Sequence, residues 1–260
     1  MENTIILALL MFRDWFLALS PLQLGVAAGM FQILGYTLYI RKTLRNEVEP
    51  NPATWLMFAY GTTLLTILEF DVGAEWHLLF LPVVCAILGV YVAFLCWHRG
   101  TLSWPEDRED QIAFIADLCL TAIYVTAGIL LWRGAISEES RTLLSFVLLF
   151  ASNATAITAF TPLIRGAIAN PHREHPYAWI AWTFAYLLLA DATYREHKAG
   201  ELTEFSLPFL GGTLHLGIDL VLVSLMVYPV LNAILHGAVA VLSRKRRKKR
   251  HARPVTAAGE

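Results

Sequence analysis

The chain has 260 residues, 57% of them hydrophobic and only 16% charged, with a formal net charge of −1 and a mean hydropathy of +0.54. A soluble domain of this length carries roughly a quarter charged residues, so the composition excludes one and points to a protein embedded in a membrane. The small net charge hides segregation, because eight of the 20 Lys and Arg sit in the tail RKRRKKRHAR.

Residues 1–20 open on a short apolar stretch interrupted by Arg13 and Asp14, with no basic leader and no small-residue cleavage site. They predict an interfacial helix that ends at Ser20-Pro21 rather than a cleaved signal peptide. Seven apolar runs follow, at 21–40, 53–70, 78–97, 112–132, 142–164, 177–193 and 206–228. Runs of about 20 residues cross a hydrocarbon core of about 30 Å. A backbone in lipid has to satisfy its own hydrogen bonds, so each run is predicted helical and the fold class all-α. Cys85, Cys96 and Cys119 fall within these runs, and their odd number and spacing suit neither a disulfide framework nor zinc. They read as buried small hydrophobes.

With the N-terminus outside, the cytoplasmic side collects 15 of the 20 Lys and Arg, among them Arg41, Arg99, Arg165 and the tail. The positive-inside bias therefore predicts N-out, C-in, in a plasma (inner) membrane. After Pro229, the stretch VLNAILHGAVAVLS reads as too short to span. It predicts an interfacial extension whose basic tail rests on anionic lipid.

An internal repeat links the two halves. At an offset of 124, Arg41, Pro52 and Trp55 meet Arg165, Pro176 and Trp179. Each unit is a helix, a basic loop, a proline and a new helix opening on tryptophan. Third helices correspond once two residues are allowed, Pro82 of FLPVV against Pro208 of SLPFL. Both arginine loops lie on one side, so the copies are parallel, and three helices per copy then require one extra crossing between them. The predicted organisation is 3+1+3: an N-terminal interfacial segment 1–20, a first three-helix repeat 21–97, a linker 98–141 with the fourth helix, a second repeat 142–228, and an extension with basic tail 229–260.

At the level of architecture, residues 21–228 resemble the SWEET and PQ-loop superfamily of seven-helix carriers. YIRKTLRNEVEPNPATW is most similar to the pattern of uncharacterised bacterial SWEET-like membrane proteins. The resemblance implies hinge prolines in each repeat. Pro52, Pro162 and Pro176 match three of the four positions, while Leu38 stands at the fourth. The glutamine that follows the proline in that family is replaced by Tyr39 and Leu163. The resemblance also implies a solute site on the third helix of each repeat, where this chain has Gly89 and His215.

Read for themselves, Pro52 and Pro176 begin helices, where proline costs no hydrogen bond. Trp55 and Trp179 lie one turn further in, at the depth where an amphipathic ring favours the headgroups. Either these four are helix punctuation and interfacial anchors, or they frame a cytoplasmic gate. Pro162, late in the fifth run, interrupts a helix and reads as a hinge. Polar groups at mid-depth are the candidates for a solute path. His215 and Asp219, four apart, would share a helical face and bind solute or carry a proton, if they are not simply bonded to each other. Gln32, Asn153 and Thr155 are candidates for the same cavity or for interhelical hydrogen bonds. Asp191 falls at an outer gate or snorkels, and Asp117 points to the cytoplasmic interface. No catalytic set, cofactor motif or metal-ligand spacing is present, so neither enzyme nor cofactor is expected. The implied function is movement of a small polar solute, such as a sugar, by alternating access. The alternative is a receptor or scaffold on the same frame. The expected partners are the solute and the bilayer, with no nucleic acid; a homo-oligomer is compatible with the sequence.

Overall fold

The computed structural model describes residues 11, 13–101, 104–105, 107–170, 174–198, 205–209, 212–216 and 220–251. The fold is all-α apart from one hairpin. Helix α1 (Pro21–Leu44) begins where Ser20 accepts the Gln23 N–H and the Gln23 side chain accepts the Ser20 N–H, with Pro21 in the first turn. Helix α2 (Pro52–Asp71) begins in the same way, with the Asn51 side chain accepting the Thr54 N–H at 3.1 Å. It stops at Val72, and Gly73, at φ +86°, supplies the left-handed residue that reverses the chain into α3 (Trp76–His98). Helices α4 (Arg108–Trp132), α5 (Glu138–Ala159), α6 (Thr161–Ala169) and α7 (Pro176–Lys198) follow. Strand β1 (Phe205–Phe209) then pairs antiparallel with β2 (Gly212–Leu216), and α8 (Leu220–His251) closes the fold.

Five helices are long and apolar enough to cross a membrane: α2, α3, residues 110–132 of α4, α5 with α6 taken together, and residues 221–244 of α8. The remaining long helices, α1 and α7, are less apolar. They pack mainly against each other at the centre of the molecule, where a helix face meets protein and need not be apolar. Helices α1 and α2 both pack on α3, as α5, α6 and α7 do on α8, and α2 also packs on α5. Helix α4 lies against α5 and the edge of α2. Only 17% of its apolar window is buried inside the protein, against 44–50% for the other four, so it sits at the periphery.

The last span differs from expectation. Residues 205–209 and 212–216 form the hairpin strands and the apolar helix runs through 221–244, not 206–228. The reason is local: Gly211 and Gly212 favour a turn, while Pro229, read in the sequence as the end of the span, sits inside α8. Proline is tolerated within a helix whose freed carbonyl meets neighbouring helices.

Among the described residues, two of three apolar clusters fill the centre of the bundle. One, at the end near Asp71 and His77, is built on Leu24, Leu65, Leu68, Leu81, Leu149, Leu189 and Leu225. The other, towards Arg41 and Arg99, is aromatic: Tyr36, Tyr39, Trp55, Phe160, Trp179 and Trp182. Helices α1 and α3 abut at Gly25, where an added Cβ would lie 2.5 Å from the His77 carbonyl oxygen.

Candidate functional site

At mid-length, between α1, α2 and α3 on one side and α7 and α8 on the other, a small cavity of about 20 Å³ is lined by Gln32, Tyr36, Trp55, Cys85, Trp182, Tyr186, Asn232 and His236, with Phe58, Thr62 and Phe160. That is room for about one water molecule. Helical spacing builds it. Cys85 and Asn232 each stand three residues after the interior proline of their helix, Pro82 in α3 and Pro229 in α8. Seven residues after those prolines come Gly89 and His236. Asn232 and His236, four apart, share one face of α8.

The lining is polar but carries no ion pair among the described residues. Nδ1 of His236 lies 2.8 Å from the Asn232 carbonyl oxygen. A carbonyl can only accept, so Nδ1 carries the hydrogen and Nε2 of the neutral ring is an acceptor. The Asn232 amide donates to the Tyr228 carbonyl at 2.9 Å. The Tyr36 hydroxyl lies 3.3 Å from Cys85 Sγ and donates to the Cys85 carbonyl at 3.2 Å. The Tyr186 hydroxyl meets that of Tyr228 at 3.0 Å. Gln32, 1% exposed, has a side-chain oxygen with no hydrogen-bond partner. A buried acceptor without a donor is costly unless a ligand or water supplies one. Aromatic rings frame the space: the His236 ring lies 4.8 Å from Tyr186 and 4.9 Å from Phe160, centre to centre.

Towards the basic end a vestibule of about 310 Å³ opens, lined by Thr43, Glu49, Pro52, Arg99, Pro162 and Glu174 among others. Trp55 and Trp179 stand between vestibule and cavity. Trp55 Nε1 donates to the Tyr39 hydroxyl at 3.2 Å and Trp179 Nε1 to Glu174 at 2.9 Å. Both rings pack on Trp182, at 6.2 and 4.8 Å. They are 1% and 0% exposed, so the reading as interfacial anchors is corrected: each indole N–H finds a protein partner, and the rings form a plug. Pro52 opens α2 and Pro176 opens α7. Pro162 follows a one-residue break at Phe160 between α5 and α6, whereas α1 runs unbroken through Leu38.

The other predicted residues disperse. His215 lies on β2 opposite Ser206, outside any helix, so the expected helical pairing with Asp219 is corrected; Asp219 falls outside the described residues. Gly89 faces the Tyr36 hydroxyl and α2 beside the cavity without lining it. Asn153, 1% exposed, donates to the Leu149 carbonyl at 2.9 Å and does not line it either. Thr155 turns the other way, with Oγ1 at 2.5 Å from Asp117 Oδ1. Asp117 is 5% exposed, buried between α4 and its neighbours and not at an interface with water. Asp191 forms a 2.7 Å ion pair with Arg195, whose guanidinium also donates to the carbonyls of Leu17 and Leu19. It ties the segment before α1 to the end of α7. Cys85 and Cys96 are buried and Cys119 is exposed, correcting the reading for the last.

The sequence singles out none of His236, Asn232, Tyr186 and Glu174 as site residues, and Cys85 only as a buried small hydrophobe. An interval of seven residues after a proline is the usable signal: from Pro208 it reaches His215, and from Pro229, inside α8, it reaches His236. Comparison of the chain with protein-family models, curated proteins and solved structures gives no match.

Proposed function

We propose that the protein is a membrane carrier of a small, uncharged, hydroxyl-bearing solute such as a sugar. It works by alternating access in a SWEET-like 3+1+3 arrangement of seven crossings, with α1 and α7 crossing alongside the five apolar helices. The central cavity is the observation that carries this reading. Its hydrogen-bonding groups, Gln32, Asn232 and His236, are neutral, and aromatic faces surround them, which suits a polyol better than an ion. The neighbour pattern supports it: in each proposed half, the first and second helices both pack on the third, and α1–α7 and α2–α5 are the matching cross-contacts. Helix α4, the proposed linker, is peripheral.

On this reading the structure is a closed state. The solute enters the cytoplasmic vestibule, the Trp55–Trp179 plug parts, and the cavity widens to admit it. Purified protein in liposomes, screened with labelled sugars, amino acids and carboxylates, tests the proposal. Sugar uptake that is lost in Asn232→Ala and in His236→Ala, with both variants folded and inserted, is the expected result. Uptake unchanged in both removes the cavity from the path.

A receptor on the same frame is favoured by the other end of the bundle. There the leucine cluster is capped by Asp71–Arg141 at 2.5 Å and by His77–Glu196 at 3.3 Å. If that end never opens, no labelled solute accumulates in liposomes although ligand still binds.

A further inference from the structure

We propose that Asp117 is a proton-binding site that sets the break between α5 and α6. The inference stands on hydrogen accounting. Thr155 Oγ1 lies 2.5 Å from Asp117 Oδ1 and 2.8 Å from the Ser152 carbonyl oxygen. One hydroxyl carries one hydrogen, and both neighbours accept when Asp117 is ionised. An ionised Asp117 therefore leaves two oxygens in close contact with no hydrogen between them. A protonated one completes the relay: the Asp117 carboxyl donates to Thr155, and Thr155 donates to Ser152. Near it, but not on the carboxyl, the Tyr60 hydroxyl donates to Thr121 at 2.6 Å and Thr121 donates to the Asp117 backbone carbonyl at 2.9 Å, while Oδ2 faces Gly61.

No charge compensates the carboxyl. Helix α4 packs on α5 and α2. From α5 it meets Thr155, which does not titrate, and from α2 it faces Gly61 and, through Thr121, the Tyr60 hydroxyl. On α4 the nearest acid is Asp110, about two turns away. No ion pair among the described residues involves Asp117. An ionisable group inside a membrane helix with only hydroxyl and carbonyl partners is suited to binding and releasing a proton.

The relay ends on the Ser152 carbonyl, about two turns before Phe160, and passes through Thr155, which the last turn of α5 also holds by its carbonyl. Thr158 Oγ1 donates to the Thr155 carbonyl at 2.6 Å, and the Phe160 N–H bonds back to the Ile157 carbonyl at 3.2 Å, tightening the last turn of α5. Loss of the Asp117 proton turns the Thr155 hydroxyl to the carboxylate and frees the Ser152 carbonyl. The change reaches the break through Thr155, the residue whose carbonyl Thr158 holds. Uptake would then be coupled to protons through α4, a step that rests on the transport reading.

Infrared difference spectra of the full-length protein in lipid nanodiscs, titrated between about pH 5 and 9, read the carboxylic-acid carbonyl band directly. The wild type is expected to lose part of this band as pH rises, and Asp117→Asn to lack that part. Thr155→Val removes the relay and leaves the acid, so it is expected to shift the midpoint and keep the band. Spin labels at positions 147 and 168, in a Cys119→Ser background, are expected to change separation with pH in the wild type and to hold still in Asp117→Asn. An unchanged band in Asp117→Asn overturns the proton site, as does its displacement by sodium at fixed pH, which would make this a sodium site. Labels that ignore pH while the band titrates overturn the link to the break. If band and labels respond but liposomes take up no solute, the transport reading fails and this one stands. Proton-driven sugar uptake with no titration at Asp117 is the reverse.

Discussion

Glu174 is 3% exposed, sits just outside α7, and holds the indole N–H of Trp179 at the rim of the vestibule. Burial pushes its carboxyl up from an ordinary 4.5 to about 8, against the opposing pull of that N–H. A raised carboxyl means that the folded state prefers the proton. Its stabilising share is fully present below about pH 4.5 and is lost as pH rises through about 8. Glu174→Gln keeps an acceptor for Trp179 and removes the titration. Thermal unfolding in detergent is therefore expected to depend less on pH across that window in the variant, which should melt above wild type on the alkaline side. Parallel curves would mean that the carboxyl is solvated. Other single residues act by being small: Gly35 lets the Trp182 ring lie directly on α1, where any Cβ would collide with the indole.

Among the elements, the α5–α6 break matters most for motion. Thr158 keeps a carbonyl that no residue-162 N–H can reach, because proline has none. Pro162→Ala restores that donor and allows one continuous helix through Phe160. Uptake is expected to fall in maximal rate by about tenfold or more, with the concentration for half-saturation little changed, as for the loss of a hinge rather than of a binding contact. An unchanged maximal rate would show that the break is only a bend. The sequence made this break legible, because a proline late in an apolar run has one physical meaning in the helix ladder. It also made α2, α3, α4 and α5 legible, since each is a single apolar run, with Asn51 and Ser137 as caps before α2 and α5. Trp55 and Trp179 were legible as a pair through the repeat, but their burial was not. An indole one turn inside a helix can face lipid or protein, and only packing decides which. The last helix failed for a related reason. Pro229 breaks a helix in water, while inside a bundle its neighbours compensate, so Asn232 and His236 were read as lying beyond the membrane. Asp117 was misread because its partner Thr155 lies on another helix, with no periodicity linking the two.

For the whole molecule, the odd number of proposed crossings fixes opposite sides for the two ends. On the proposed arrangement, Arg41, Arg99 and Arg165 at the vestibule end and the basic sequence from Arg244 onward predict a cytoplasmic side there under the positive-inside rule. A reporter fused after Glu260 is expected to be active only inside the cell, and a tag ahead of residue 15 to be reachable only from outside. The opposite result for either would reduce the crossings to an even number and end the parallel-repeat arrangement. Within that frame the halves are unequal. The first helix of the front half is one rod from Pro21 to Leu44, while its counterpart is jointed at Phe160. On the carrier reading, one half would be the post and the other the swinging leaf. Two copies of the front half, fused head to tail, would make a frame with no joint; two copies of the back half would have a joint on each side and nothing fixed to swing against. Such a carrier would need one half of each kind, because stiffness and motion would be divided between them.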